Sequence, residues 1–181
     1  MNVIVRKLFV NYEKEEKWLN DMAAKGLNLV YYSIGKYVFE KGMPGEYIYR
    51  IELLENLPAL AESKAYIEFM EDSGVECVAS YFRWVYFRKK ASEGSFDLYS
   101  DYDSKIKHYK RIIIFTGTIL FMNLLPGITN IINSFNNEAV SHFLNLPISI
   151  LNLAVAALLA PIFISHIIRI NKMKKERKIY E

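Results

Sequence analysis

The sequence predicts an α+β protein in two parts. The first is a duplicated strand-helix-strand-strand unit, an antiparallel sheet with two helices on one face, and the second is a two-helix transmembrane hairpin. Three observations predict this arrangement. Charged residues occur evenly from Arg6 to Arg111 and then nearly vanish until Arg169. Strand-like and helix-like hydrophobic patterns alternate before Arg111, and their order occurs twice. Two long uncharged stretches follow.

The first repeat, residues 1–42, contains a strand at 3–10, a helix at 11–25 and strands at 27–33 and 36–41. Asn11 is a typical helix N-cap, and Gly26 is a typical residue just after a helix end. Glu13, Glu15 and Glu16 fall in the first turn, so we interpret them as acids stabilised by the helix dipole. The helix therefore has both ends marked.

The second repeat, residues 46–90, contains a strand at 46–54, a helix at 58–73 and strands at 75–80 and 84–90. Aligning the helices places Trp18 on Tyr66 and Gly26 on Gly74, at a spacing of 48 residues (66 − 18 = 48). The two repeats together predict a cytoplasmic α+β domain over residues 1–91.

The remaining chain predicts a polar linker with a short helix at 92–110, transmembrane helices at 111–133 and 143–169, a short external loop at 134–142 and a basic tail at 170–181. About 20 apolar residues are enough for a helix to cross the hydrocarbon core. Lysine and arginine flank both spans but are absent from the loop, which predicts a cell-membrane protein with both termini in the cytoplasm. The basic residues expected to face lipid are Arg169, Lys172, Lys174, Lys175, Arg177 and Lys178.

Polar and small residues within the spans favour helix packing. Asn123 and Asn130 share a helix face, and Ala156 and Ala160 form a small-xxx-small pair. We expect these residues to pack the hairpin or to form a homodimer through it.

The strands carry more aromatic residues than a core of this size requires. Such a surplus is typical of a ligand pocket or a partner surface. The candidate residues for this surface are Trp18, Tyr31, Tyr37, Tyr49, Tyr66 and Trp84, with Glu40 and Glu52 as partners for a cationic ligand.

Catalytic and metal-binding patterns are absent from the sequence, so we expect a protein that is no enzyme and has no cofactor. The three histidines are scattered, and Cys77, the only cysteine, lies in an apolar strand pattern typical of an inert thiol. Basic and acidic residues balance through Arg111, which argues against direct nucleic-acid binding.

Three stretches resemble a family of unknown function: EEKWLNDMAAKG at 15–26, YVFEKG at 37–42 and EYIYRI at 46–51. Members of that family are small membrane proteins of Gram-positive bacteria, often encoded beside PadR-type repressors. This resemblance implies a regulatory setting and supplies no catalytic residues. The duplicated unit is also similar in topology to GyrI-like effector-binding domains, which bind amphipathic small molecules between two halves.

The leading hypothesis is a membrane-anchored cytoplasmic binding or regulatory module that contacts a protein partner, such as a regulator or a membrane complex. One alternative is a membrane-proximal sensor of amphipathic small molecules. Another is an accessory subunit of a transporter, in which the hairpin mediates assembly. The lipid bilayer is a partner in all three.

Overall fold

The computed structural model describes residues 2–99, 101–136 and 139–180. It divides into two compact units, Met1–Ser100 and Asp101–Glu181. The first unit contains β1 (Val3–Arg6), α1 (Tyr12–Ala23), β2 (Leu27–Ser33), β3 (Lys36–Lys41), β4 (Tyr47–Leu53), α2 (Ala61–Asp72), β5 (Glu76–Tyr81), β6 (Trp84–Lys90) and a short 3-10 turn (Ala91–Glu93). The second contains α3 (Tyr102–Asn136) and α4 (Ala139–Tyr180). The α+β class and the C-terminal helical hairpin are confirmed.

Each repeat forms its own three-stranded antiparallel sheet, sheet 1 in the order β1-β3-β2 and sheet 2 in the order β4-β6-β5. The duplication extends to irregularities in the pairing. Register shifts occur between Leu29 and Tyr31 in β2 and between Cys77 and Ala79 in β5, again 48 residues apart (77 − 29 = 48). Because the bulge occurs at the same position in both repeats, it is a regular feature of the repeat and not a local defect. The predicted duplication is therefore confirmed at the level of backbone geometry.

The sequence predicted one continuous sheet, but two separate sheets form. The repeats meet where β2 lies beside β5, and side-chain contacts join them there. The Arg88 guanidinium donates to the Leu29 carbonyl at 3.2 Å. The Tyr32 and Tyr86 rings pack there with centroids 4.5 Å apart. Aromatic and guanidinium groups at this junction replace a continuous backbone ladder.

The two helices lie on opposite faces of sheet 2, whereas the sequence placed both on one face. Tyr86 and Phe87 are neighbours on β6 and point to opposite faces, yet both are buried. Tyr86 belongs to the cluster around Leu19 of α1, while Phe87 belongs to the cluster around Tyr66 of α2. Sheet 2 is thus covered on both faces, and α1 packs against both sheets.

The predicted helix signals of α1 are confirmed. The Asn11 side chain accepts a hydrogen bond from the Lys14 backbone N–H at 3.0 Å, as an N-cap does. Gly26 has φ +74°, and a Cβ there would lie 2.7 Å from the Gly42 carbonyl oxygen. Strand β1 is shorter than predicted because Arg6 pairs with Lys36, the first residue of β3, and no partner strand remains beyond it.

In the second unit, α3 and α4 approach closely at two glycines of α3. A Cβ at Gly117 would lie 2.8 Å from the Phe163 ring, and one at Gly127 would lie 2.8 Å from Leu153. Small residues allow such close helix contact in membranes. Ala156, predicted for this role, is also buried. Asn123 donates to the Ile119 carbonyl of its own helix at 2.7 Å.

Both helices are longer than the predicted transmembrane spans, whose limits were set by the first charged residues. Helical backbone hydrogen bonding continues through those charged residues. Helix α3 begins within the predicted linker, and α4 continues through the predicted tail to Tyr180. Of the predicted external loop, residues 134–136 are helical, as is the chain from Ala139 onward, and residues 137 and 138 lie outside the described residues. Both helices are long and apolar enough to cross a membrane, and little of either apolar stretch is buried.

Candidate functional site

The most unusual side chain of the first unit is Glu15, in the first turn of α1. Its exposed fraction is only 7%. The hydroxyls of Tyr37 and Tyr86 both donate to its Oε1 oxygen, each at 2.7 Å. Tyr37 lies on β3 of the first repeat and Tyr86 on β6 of the second. A single carboxylate oxygen therefore links the two repeats.

The two carboxylate oxygens of Glu15 differ in their contacts. Among the described residues, no hydrogen bond ends on its Oε2 oxygen, and no lysine, arginine or histidine forms an ion pair with it. Burial raises the pKa of Glu15, and the hydrogen bonds from Tyr37 and Tyr86 offset part of that rise. Burial and the neighbouring carboxylate raise the pKa of both tyrosines, so their hydroxyls stay protonated and donate.

Further aromatic rings pack against the two tyrosines that bind this carboxylate. The Trp18 ring meets the Tyr37 ring edge-on at 4.8 Å, and the Tyr32 ring lies 4.9 Å from Tyr37. Such aromatic pairs stabilise a core beyond their buried area. We call this group the aromatic seam, and it consists of Glu15 with Phe9, Trp18, Tyr32, Tyr37 and Tyr86.

The loop after β1 covers the aromatic seam. Its Phe9 ring packs on Trp18 at 5.3 Å and meets Tyr37 edge-on at 6.3 Å. The Lys7 ammonium lies over both the Phe9 ring, at 4.7 Å, and the Trp18 ring, at 5.0 Å. Because ring faces attract cations, the aromatic seam already holds one cation of the chain itself.

A second buried carboxylate, Glu52 on β4, is bound differently. Its exposed fraction is 2%. Tyr66 donates to Oε2 at 2.7 Å, and Tyr99 donates to Oε1. Both of its oxygens therefore accept from hydroxyls, one from Tyr66 within the second repeat and one from Tyr99, which follows that repeat in the chain.

The second repeat shows that this fold does not require a glutamate at the position of Glu15. The repeat spacing places Ser63 there (63 − 15 = 48). Ser63 is buried, and its hydroxyl donates to the Asn56 carbonyl at 3.2 Å. A small neutral side chain thus fills the equivalent site.

Two further polar residues of α1 complete the edge of sheet 2. Asn20 donates to the Tyr49 carbonyl at 3.1 Å and accepts from its N–H at 2.9 Å, as a neighbouring strand would. Glu16 accepts from the Ile51 N–H at 2.9 Å and pairs with Arg50 at 3.6 Å. Burial raises the pKa of Glu16, and these two contacts oppose the rise. The helix therefore blocks the exposed edge of β4.

The structure divides the predicted surface residues among three places. Trp18, Tyr37, Tyr49 and Trp84 belong to the core between α1 and the two sheets. Tyr66 and Glu52 meet at the α2 face of sheet 2. Tyr31 and Glu40 are exposed on the outer face of sheet 1.

The sequence predicted only that the helix dipole stabilises Glu15 and Glu16. The structure adds the contacts of Glu15 with two tyrosines and of Glu16 with the edge of β4. A signal for Glu15 was present in the helical spacing. Glu15 precedes Leu19 by one turn and therefore lies on the apolar face of α1. The approach of Tyr86 from the second repeat had no such signal.

The outer face of sheet 1 carries an exposed apolar row. Ile4, Val38 and Tyr31 lie side by side across β1, β3 and β2. The exposed fractions are 57% for Ile4 and 53% for Tyr31. Arg6 and Lys36 flank this row on the same face. We call these three residues the outer row.

The basic residues of α4 that the sequence predicted to face lipid are mostly exposed. The side chains that are exposed are those of Arg169, Lys172, Lys174, Lys175 and Lys178. Arg177 instead pairs with Asp103 of α3. Arg169 also donates to the Tyr109 hydroxyl at 2.9 Å. These two contacts join α3 and α4 at this end.

Two further kinds of chemistry concern the Cys77 thiol and possible metal ligands. Burial, with a smaller contribution from Glu71, raises the pKa of the half-buried Cys77 thiol to about 11. Within the described residues, no group of three or more histidine, cysteine, aspartate or glutamate side chains is placed to hold a metal ion.

Comparison with known proteins places this architecture in a family. No curated protein and no solved structure matches the chain. A family model described as "Protein of unknown function (DUF2812)" matches residues 11–122, well over half of the chain. The match runs from the N-cap of α1 through both sheets into α3, so it includes part of the apolar hairpin. The chain belongs to this family of unknown function, DUF2812.

Proposed function

We propose that the protein is a membrane-anchored, non-enzymatic binding module whose duplicated domain contacts a protein partner, such as a regulator or a membrane complex, at the cytoplasmic face. The observation that carries this proposal is the outer row, an apolar surface that the fold of the domain leaves exposed.

The hairpin supplies the anchor. Large apolar side chains of α3, such as Met122 and Leu125, are exposed along its length. Water would solvate this surface unfavourably, whereas lipid tails would cover it. The exposed basic residues at the end of α4 support the cytoplasmic side, and each basic residue near an anionic surface contributes about 1 kcal/mol.

The outer row supports a protein partner. Exposed apolar residues that adjoin on a regular surface are typical of interaction sites, especially with a polar rim. Arg6, Lys36 and Glu40 provide such a rim on the same face. An exposed tyrosine within an apolar patch, here Tyr31, is a typical binding hot spot.

Site-specific photo-crosslinking in living cells tests this proposal. A benzoyl-phenylalanine in place of Tyr31 should give a light-dependent adduct, and Ile4→Glu should abolish that adduct. The same photo-probe in place of Lys64, exposed on α2, is the matched control. Adducts that are identical from both positions, or that persist with Ile4→Glu, would refute the assignment of the outer row.

A further inference from the structure

The two repeats place exposed apolar side chains at one end of the first unit. Each repeat has a tight turn between its last two strands. Ile34 in the first turn and Phe82 in the second occupy equivalent positions (82 − 34 = 48), and both are exposed. The rings of Tyr32 and Tyr81, which precede these turns, meet edge-on at 6.1 Å. The two turns therefore lie side by side.

The loop after β1 adds two more apolar side chains beside the first turn. The Lys7 N–H donates to the Gly35 carbonyl at 2.9 Å. The Leu8 side chain lies so close to this turn that a Cβ at Gly35 would be 2.7 Å from it. Leu8 is nevertheless 77% exposed, and Val10 of the same loop is exposed as well. We call Leu8, Val10, Ile34 and Phe82 the apolar tip.

The backbone of Phe82 is strained. Its φ is +54°, which is rare for a bulky side chain, and glycine would adopt this conformation without that cost. The second turn therefore carries an exposed aromatic ring in spite of an unfavourable backbone. Strained residues of this kind are concentrated at binding and functional sites.

The chain also leaves the first unit at this end. Strand β4 runs towards the second turn, because its last residue pairs with the first residue of β6. After β6 the chain returns along β4 in the same direction. The Asp97 carboxylate pairs with Arg50 at 3.7 Å, and the Tyr99 hydroxyl donates to Glu52 further along. The connection to the hairpin therefore starts at the end of the domain that carries the apolar tip.

A lipid surface matches this end of the domain best. Exposed apolar patches mark protein or membrane contacts, and this patch lies where the chain continues into two helices apolar enough to cross a membrane. Arg6 pairs with Lys36, the first residue after the first turn, so two basic side chains adjoin the apolar tip. Apolar side chains beside basic ones are typical of segments that enter the boundary between headgroups and acyl chains.

We propose that the apolar tip inserts into the cytoplasmic leaflet and docks the duplicated domain on the membrane. This inference rests on the proposed anchoring of the hairpin, and the apolar tip shares no residue with the outer row. Leu8, Ile34 and Phe82 enter the acyl-chain boundary, while Arg6 and Lys36 meet anionic headgroups. The domain is then attached twice, and the outer row stays accessible to a protein partner.

Nitroxide quenching in phosphatidylcholine–phosphatidylglycerol vesicles tests this docking with the full chain. In a Cys77→Ala background, an environment-sensitive NBD dye is attached to Ile34→Cys, Met43→Cys or Met122→Cys. Met43 is the matched control, an exposed apolar residue in the turn between β3 and β4 at the opposite end of the domain. Met122, on the exposed apolar surface of α3, reports hairpin insertion.

Lipids with nitroxides on their acyl chains should quench the dye at position 34 several-fold more than the dye at position 43. They should also quench the dye at position 122. Leu8→Glu changes a side chain that is mostly exposed, so the core stays intact. It should lower the quenching at position 34 to the level at position 43 and leave position 122 unchanged.

The outcomes separate the docking from the anchor. Quenching at position 122 with none at position 34, as expected if the apolar tip bound a protein, would overturn the docking and leave the anchor standing. Equal quenching at positions 34 and 43, or quenching at position 34 that persists with Leu8→Glu, would overturn it too. No quenching at position 122 would refute the anchor and this inference with it.

Discussion

Replacing Glu15 by alanine should destabilise the duplicated domain strongly. The change removes the shared acceptor of Tyr37 and Tyr86, and both hydroxyls are then buried without it. Each buried hydroxyl that loses its partner costs about 1–3 kcal/mol, or about 2–6 kcal/mol for the pair. Removal of a poorly solvated charge returns part of this, so the free energy of unfolding should fall by about 2–4 kcal/mol. Urea denaturation followed by tryptophan fluorescence measures the loss.

Two comparisons isolate the cause. Ser63→Ala removes one hydrogen bond at the equivalent position and should cost only about 0.5–1.5 kcal/mol. Glu15→Gln keeps an acceptor for both tyrosines and removes the charge, so it should cost little at neutral pH. If Glu15→Ala were no more destabilising than Ser63→Ala, the tyrosine-carboxylate link would contribute nothing, and the reasoning would be refuted.

The pH dependence follows from the same group. The pKa of Glu15 in the folded protein lies above its ordinary value of 4.5, so the folded state binds this proton more tightly than the unfolded state does. Its contribution to stability is therefore complete below pH 4.5 and decreases as the pH rises through the folded pKa. Glu15→Gln lacks this dependence, and its stability relative to wild type should increase with pH across that window.

Three other changes test separate parts of the structure. Asn20→Ala removes both side-chain hydrogen bonds to the Tyr49 backbone and should lower the free energy of unfolding, measured by urea titration, by about 1–3 kcal/mol. The control Lys17→Ala, at an exposed position of α1, should show little change in the same titration. Gly117→Leu places side-chain atoms against Phe163 and should lower the melting temperature of the protein, as followed by the circular-dichroism signal of its helices. Ala157→Leu, at an exposed position of α4, should leave that temperature unchanged. Because its pKa is raised from 9.0 to about 11, Cys77 should react with iodoacetamide at pH 8 roughly 100-fold more slowly than an unperturbed thiol, and a rate equal to that of a free thiol would contradict its burial.

Local signals predicted the elements well because the residues that define them are near in sequence. Asn11 and Gly26 mark the limits of α1 through bonds to residues close by in the chain. Strands β2, β3 and β6 begin and end where alternation and turn residues predict. The repeat spacing, visible in two aligned residue pairs, reappears in the paired bulges.

The arrangement of those elements was harder to predict, because long-range contacts determine it. Sheet 2 buries both of its faces, as the neighbours Tyr86 and Phe87 show, and no local pattern states which helix covers which face. Glu15 meets a tyrosine that is 71 residues away in the chain. The candidate list therefore included Tyr37 but not the glutamate that it contacts.

Insertion as a hairpin with both ends in the cytoplasm is tested most directly by cysteine labelling in intact cells. In a Cys77→Ala background, single cysteines would replace Asn136, near the connection of the helices, and Lys174, near the end of α4. A membrane-impermeant maleimide should label position 136 in intact cells and position 174 only after permeabilisation. Labelling of position 174 in intact cells, or of both positions alike, would contradict the proposed anchor.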